Sequence, residues 1–311
     1  MSKPIRYRGP RQLDRTLALE LGEVRVPGIE LEFDVRPTID GALEALLEGD
    51  CDAAEIPLGV LVSFVARGDG RLTGVPVFLS RRLPHRFLWV AADSGYGQAA
   101  DLDGRTVGWA PGSGAAATWS RYLLSASGAV PEFVPGAMGG SMSAVLDQGR
   151  EADGQTLPEA VLSGGLDALA TPYPVPADEG GVGLRPLIAD RGAAERQWVR
   201  DGGIVPMSTV VALGGRAAGS AEIAAALLEG FEAAKVAGLE RLRYPGAPAV
   251  GLPWLPDHLA ELDELFPGGS PYVHGLKPNE PALRAFAQHA HALGITSREV
   301  EPGELFAPLD G

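Results

Sequence analysis

"CDAAEIPLGVLVSFVARGDGRLTGVPVFLS", residues 51–80, sets the fold class. "CDAAEIP" is a short strand candidate, "LGVLVSFVARGDG" reads as a helix ending in turn residues, and "LTGVPVFLS" reads as another strand. Strand, helix, strand is the repeating unit of an α/β architecture with substantially parallel sheet. Upstream, "IELEFDV" alternates apolar and polar residues as a half-buried strand does. "TIDGALEALLEGD" then places Ile39, Leu43, Leu46 and Leu47 on one helical face.

Downstream the alternation continues. "DLDG" turns into the strand "RTVGWA", a Gly/Ser loop follows, and a helix runs from about Ala115 to Ser127. "PEFVPG" and "LDALATPYPV" are further strands, with helical "LPEAVLSGG" between them. Ile204–Leu213, "IVPMSTVVAL", is a buried strand, and the last hundred residues or so are mostly helical. An α/β unit with a second one inserted into it gives two lobes: residues 1–92 with 204–311, and residues 93–203. Ligands of α/β sheets bind outside the carboxyl ends of strands, so the expected site is a cleft between the lobes built from strand-end loops.

The chain has 311 residues, 45% hydrophobic and 21% charged, the composition of a globular protein rather than a disordered one. Its N-terminus is basic with no apolar stretch behind it, and no window approaches a membrane span, so a cytoplasmic location and no membrane partner are expected. A formal net charge of −14 argues against nucleic acid as a partner. Cys51 is the only cysteine, which leaves neither a disulfide nor a cysteine zinc site, and it reads as a small buried residue. Assembly into a homo-oligomer stays open.

Against that acidic background, "SRRLPHR", residues 80–86, carries three arginines and a histidine between two buried-strand candidates. A counter-charge for a small anion explains such a cluster. Two other strand-end loops accompany it. "AEIPLG" presents Glu55. "PGSGAAATW" runs from glycines into the amino end of a helix, where unpaired N–H groups favour anions, with Ser113, Gly114, Thr118 and Trp119 at hand. The same loop matches G-x-G-x-x-A through Gly112, Gly114 and Ala117, but the acid about twenty residues on, Glu132, precedes its strand. Dinucleotide binding is therefore not expected. His289 and His291 lie two apart on a presumed helix, unlike helical zinc ligands, and are expected at the surface. No metal and no organic cofactor are expected.

The succession "GDCDAAEIPLGVLVSFVARGDG", "GVPVFLSRRLPHRFLWV", "DLDGRTVGWAPGSGAAATWSRYLL", "VPMSTVVAL", "YVHGLKPNEPALRAFAQHAHALGI" and "GELFAPL" resembles the 4,5-dihydroxyphthalate decarboxylase family along nearly the whole chain. The resemblance implies a fold similar to type II periplasmic solute-binding proteins and a carboxy-lyase acting on a small anionic aromatic substrate without an organic cofactor. By motif position it implies His85 or Glu55 as proton donor, Arg81 and Arg82 on the substrate carboxylate, and Ser80 beside them. Two departures stand out. Ser208 in "VPMST" occupies a place where the family pattern suggests histidine. His274 in "YVHGLKPN" stands where an aromatic residue is usual, and supplements or replaces the missing histidine.

Two rival readings share the fold. A solute-binding module would use the same arginines to close on an anion without chemistry. Another biosynthetic enzyme, such as a lyase or cyclase, would exploit the changed residue at Ser208.

Overall fold

The computed structural model describes residues 4–10, 13–139, 154–173, 183–244, 246 and 250–308. The chain divides into two compact units: residues 1–81, 207–284 and 296–311, and residues 82–206 with 285–295.

The first unit is built on a five-stranded sheet. Its strands are β1 (Ile5–Pro10), β2 (Leu31–Arg36), β3 (Ala53–Pro57), β4 (Thr73–Val75) and β10 (Thr209–Leu213), in the order β2-β1-β3-β10-β4. β1 pairs parallel with β2 and β3, whereas β10 runs antiparallel between β3 and β4. The sheet is thus mixed, because β10 enters it from the returning chain. Helices α1 (Leu17–Glu20), α2 (Ala42–Glu48), α3 (Leu58–Ala66), α7 (Ala221–Arg243) and α8 (Leu255–Leu265) belong to this unit. On one sheet face Tyr7, Val75, Val211 and Leu213 pack with Leu227, Phe231 and Ala234 of α7, burying apolar area of the kind that dominates folding free energy.

The second unit has its own five-stranded sheet: β5 (Leu88–Ala91), β6 (Thr106–Trp109), β7 (Glu132–Pro135), β8 (Ala168–Ala170) and β9 (Leu184–Pro186), ordered β7-β6-β8-β5-β9. β6 is parallel to β7 and β8, and β5 is antiparallel to β8 and β9. Helices α4 (Gly114–Ala126), α5 (Leu157–Leu162) and α6 (Arg191–Arg200) accompany it. Helix α9 (Leu276–Ala292) contributes its residues up to Arg284 to the first unit and those from Ala285 to the second.

Several sequence expectations need correction. The boundary falls at Arg81/Arg82 and not near residue 92, because β5 bonds to β8 and β9 in the second sheet. Likewise 204–206 belong to the second unit, as does the segment 285–295, which packs Leu293 and Ile295 on its core. β1 was not foreseen, since Arg6 and Arg8 alternate with Ile5 and Tyr7. It nonetheless has the inside–outside alternation of a half-buried strand. Helix α2 begins only at Ala42 and buries Ala42, Ala45 and Leu46, leaving Leu47 exposed and Ile39 ahead of the helix. Residues 174–175 of "LDALATPYPV" lie outside the described residues, and the strand within it is Ala168–Ala170. No helix among the described residues is long and apolar enough to cross a membrane.

Candidate functional site

In the first unit the carboxyl end of β3 meets the start of β10. Glu55 stands opposite Val211 and Pro57 opposite Thr209, so Glu55 and Thr209 share a sheet face. The Thr209 hydroxyl donates to Glu55 Oε1. Glu55 is only 2% exposed, and its Oε2 has no hydrogen-bond partner among the described residues. Burial pushes the Glu55 carboxyl up from its ordinary pKa, opposed by the Thr209 bond and by Arg15. Oε1 accepts the Thr209 hydrogen, so the protonated acid carries its own hydrogen on Oε2. Glu55 does not cap the following helix: α3 has Pro57 at its N-cap and no side-chain cap.

Around this carboxyl the chain folds back repeatedly. The Ser208 N–H donates to the Ser80 carbonyl at 2.9 Å, the Leu58 N–H donates to the Ser208 carbonyl at 3.0 Å, and Arg81 bridges Met207 in antiparallel fashion. The Arg81 guanidinium donates to the Val273 carbonyl and to Asn279 Oδ1, which are neutral acceptors. Asn279 is itself held by donating to the Val273 and Gly275 carbonyls. Burial draws the Arg81 pKa down to about 10, against a raising influence from Tyr272. His274 Nδ1 accepts from the Phe78 N–H at 3.2 Å, which assigns the hydrogen of the neutral ring to Nε2. That Nε2 is buried without a hydrogen-bond partner among the described residues, and burial, then Lys235, Arg81 and Arg15, lower the His274 pKa to about 3. The first unit thus holds Glu55, Ser80, Arg81, Ser208 and His274 of the residues chosen from sequence.

Arg82, His85, Ser113, Gly114, Thr118 and Trp119 fall in the second unit. Arg82 donates to the Pro172 carbonyl at 2.7 Å and lies over the Phe87 ring, its pKa lowered by burial. Arg86, the third arginine of the cluster, is committed to Glu195 by a two-point pair at 2.8 and 2.7 Å. His85 sits in a 3-10 turn, Pro84–Arg86, edge-on to Trp198. Burial and then Arg86 lower its pKa to about 4, and its Nδ1 is buried without a hydrogen-bond partner among the described residues.

At the glycine loop the hydroxyls are already used. Ser113 Oγ donates to the Ala110 carbonyl and Thr118 Oγ1 to the Gly114 carbonyl, both at 2.8 Å. Trp119 is fully buried, packing against Tyr122 and Phe286, so it is a core residue rather than a ring presented to solvent. His289 is not the surface residue expected: Arg121 donates to its Nδ1 at 2.8 Å, Tyr122 packs edge-on to it, and burial lowers its pKa to about 4. His291 is exposed. Cys51 is buried as expected, its thiol pushed up to about 11 by burial.

Among the described residues no group of three or more His, Cys, Asp or Glu side chains is arranged to hold a metal ion. Two open depressions of about 390 and 380 Å³ on the first unit, one beside Leu46 and Gly215 and one beside Asp69 and Glu304, are lined by none of the residues above. Their arginines are already paired, Arg71 with Asp69 and Arg298 with Glu304.

Sequence reasoning missed three residues of the first-unit group: Tyr7, Arg15 and Thr209. Arg15 donates to the Leu79 carbonyl, lies 4.3 Å over the Tyr272 ring, and acts electrostatically on Glu55, Tyr7 and His274. It is brought there by Gly238 of α7, where a Cβ would stand 2.1 Å from the Asp14 carbonyl oxygen. The one available signal for Thr209 was its place at the foot of the strand "TVVAL".

Among solved structures, the periplasmic aliphatic sulphonate binding protein SsuA from Escherichia coli aligns over 100% of this chain and 95% of its own, with a TM-score of 0.53 at 18% identity. The periplasmic sulfonate-binding protein SsuA from Methylobacillus flagellatus aligns over 98% and 92%, with a TM-score of 0.54 at 13% identity. The fold is that of the periplasmic binding proteins. No protein-family model matches the chain. By sequence it is 27% identical over 310 residues to 4,5-dihydroxyphthalate decarboxylase of Comamonas testosteroni, covering 95% of this chain and 94% of that protein. It is 30% identical over 103 residues to 4,5-dihydroxyphthalate decarboxylase of Pseudomonas putida, covering 33% and 40%. The resemblance read from the motifs therefore extends over the chain, and it points to proteins named as decarboxylases rather than as transport components.

Proposed function

We propose that the protein is a carboxy-lyase that removes CO2 from a small hydroxylated aromatic or heteroaromatic carboxylate without an organic cofactor. The observation that carries this reading is Glu55, a buried carboxyl anchored through one oxygen with the other unpartnered among the described residues, in a chain similar over its length to a named decarboxylase. Burial raises the Glu55 pKa above the ordinary carboxyl value and so favours the protonated form that a general acid requires.

In the proposed reaction a ring hydroxyl ortho or para to the carboxylate supplies electron density, and the ring carbon bearing the carboxylate takes the proton from Glu55 Oε2 to form a C–H bond. The C–C bond to the carboxylate then breaks, its electron pair restores the aromatic ring, and CO2 leaves. Glu55 is reprotonated from water. Arg81 holds the carboxylate until cleavage, since a guanidinium offers two parallel donors and stays charged. His274 donates from Nε2 to a ligand oxygen, with Ser80 and Ser208 beside it. His85, in the second unit, is not the proton donor: a histidine with its pKa lowered to about 4 is uncharged near neutrality and is a poor source of a proton.

The test is CO2 release and ligand affinity measured together on 4,5-dihydroxyphthalate and a series of hydroxybenzoates. Release from one of these, lost in Glu55→Gln with affinity retained, is the expected result. Tight binding of the whole series with no CO2 from any member would replace the carboxy-lyase with a solute-binding module.

A further inference from the structure

Tyr7 and Glu55 are buried, ionisable residues of the first sheet, each with a polar atom left over among the described residues. Tyr7 is 1% exposed, and neither its Oη nor Glu55 Oε2 has a hydrogen-bond partner among the described residues. Their nearness follows from register. β1 runs parallel to β3 with Tyr7 beside Ala53 and Arg8 beside Ala54, so the next step sets Gly9 beside Glu55. Tyr7 and Gly9 share a face, as do Ala53 and Glu55. The Tyr7 ring lies along the strand over Gly9: a Cβ there would stand 2.7 Å from both Cε1 and Oη of Tyr7. Neighbouring strands are about 4.8 Å apart, so a phenol lying over Gly9 reaches the Glu55 side chain. Phe33 and Phe231 clamp the ring edge-on, with centroids 5.1 and 5.2 Å away.

We propose that Tyr7 is the positioning residue for Glu55, its phenol donating a hydrogen bond to Oε2 as that oxygen gives up its proton. This rests on the reading of Glu55 as the proton donor. Before transfer Oε2 carries the hydrogen and is a weak acceptor for the phenol, and the two atoms are not hydrogen-bonded. After transfer a carboxylate stands in a buried site, and a charge-assisted bond from Tyr7 forms where only Thr209 was attached. The interaction is strongest once charge has developed, which is the condition for accelerating the step rather than merely binding substrate. The charged group acting on this pair from a neighbouring element is Arg15, ahead of α1, which acts on both; Arg15 also acts on His274, as do Lys235 of α7 and Arg81.

The direct test needs no substrate. Infrared difference titration of the whole chain, with the Glu55 carboxylic band assigned by its loss in Glu55→Gln, gives the midpoint at which that proton leaves. Tyr7→Phe keeps the clamped ring and removes only the hydroxyl, so the midpoint is expected to rise by about one pH unit. Gly9→Ala, which keeps the phenol but displaces it, is expected to shift the midpoint the same way and serves if Tyr7→Phe does not fold. With substrate, Tyr7→Phe is expected to lower kcat about tenfold with KM within about twofold, and to carry the alkaline limb of the rate profile upward with the infrared midpoint. A midpoint unmoved in both variants, or no Glu55 band in the folded protein at any pH, overturns the proposal. A shifted midpoint in a protein that releases no CO2 upholds the Tyr7–Glu55 link and removes the carboxy-lyase reading instead.

Discussion

The end of β3 and the end of β6 each lead from a five-stranded mixed sheet into a helix and treat their polar side chains oppositely. β3 runs directly into α3 in one unit, and β6 reaches α4 through the Pro111–Ser113 turn in the other. After β6, Ser113 and Thr118 return their hydrogens to carbonyls of their own chain. Among the described residues of the first unit, Glu55 near the end of β3 keeps one oxygen uncommitted, and His274 and Tyr7 keep a donor each. Buried polar groups are ordinarily paired, and an unpaired one costs roughly 1–3 kcal/mol. The glycine loop pairs its own hydroxyls and so gives up reactivity for stability. The first-unit group retains that cost, which is the pattern of a site with work for a ligand to do.

The largest effect expected from this contrast is at Glu55. Glu55→Gln preserves shape and the acceptor for Thr209 but has no acidic proton. Decarboxylation should fall by on the order of 10²–10⁴ in kcat, the range for losing a general acid, with far-UV circular dichroism unchanged. Activity within a few-fold of wild type would take the acid out of the mechanism and leave the first-unit group as structure.

Next is Arg81. Charge-assisted contacts are worth about 1.5–3 kcal/mol, so Arg81→Lys, which keeps charge but loses the two-point fork, should raise KM about 10- to 100-fold. Asn279→Ala, which removes a partner that orients the guanidinium, should raise it less. His85→Asn belongs below these: a neutral imidazole replaced by another neutral hydrogen-bonding group should change kcat by less than about tenfold and leave the alkaline limb where Glu55 sets it.

The pH dependence of stability separates the same groups by sign. His274, His85 and His289 have folded pKa values of about 3, 4 and 4, below the ordinary histidine value. Between those values and about 6.5 the unfolded chain binds more protons than the folded one, so stability is full above about 6.5 and falls as pH drops. Glu55 works the other way: its raised pKa makes its contribution greatest in acid and lost as pH rises through the folded value. Urea midpoints should therefore decline from about pH 6.5 to pH 4, with His289→Gln flattening part of that decline and Glu55→Gln removing the opposing loss of stability as pH rises above the ordinary carboxyl value.

Much of this was legible in the chain. "CDAAEIP" followed by "LGVLVSFVARGDG" became β3 and α3 as the periodicities require, and the arginine block does leave a buried extended segment, with Val77, Phe78 and Leu79 inaccessible. β1 was hidden because its outward residues are Arg6 and Arg8, which read as a basic terminus until Ile5 and Tyr7 are seen to alternate with them. The unit boundary was misplaced because a single apolar run, "FLWV", does not say which sheet it joins. Glu55 could be chosen as a strand-end acid. Tyr7 could not, because its importance depends on the missing side chain of Gly9 and on a strand 46 residues away, since Tyr7 pairs with Ala53.

The smallest expected effect is the sharpest check on the comparison. Ser113→Ala removes a hydroxyl that donates to the Ala110 carbonyl, but the Ser113 N–H donates to that same carbonyl at 2.8 Å, so no acceptor is left unpaired. Stability should change by at most about 1 kcal/mol in urea unfolding, and ligand affinity by less than about twofold. A tenfold loss of affinity on this substitution would mean that Ser113 turns from the carbonyl to the ligand on binding. The glycine loop would then be an anion-holding element in its own right, and the asymmetry between the two strand ends would hold only for the unliganded protein.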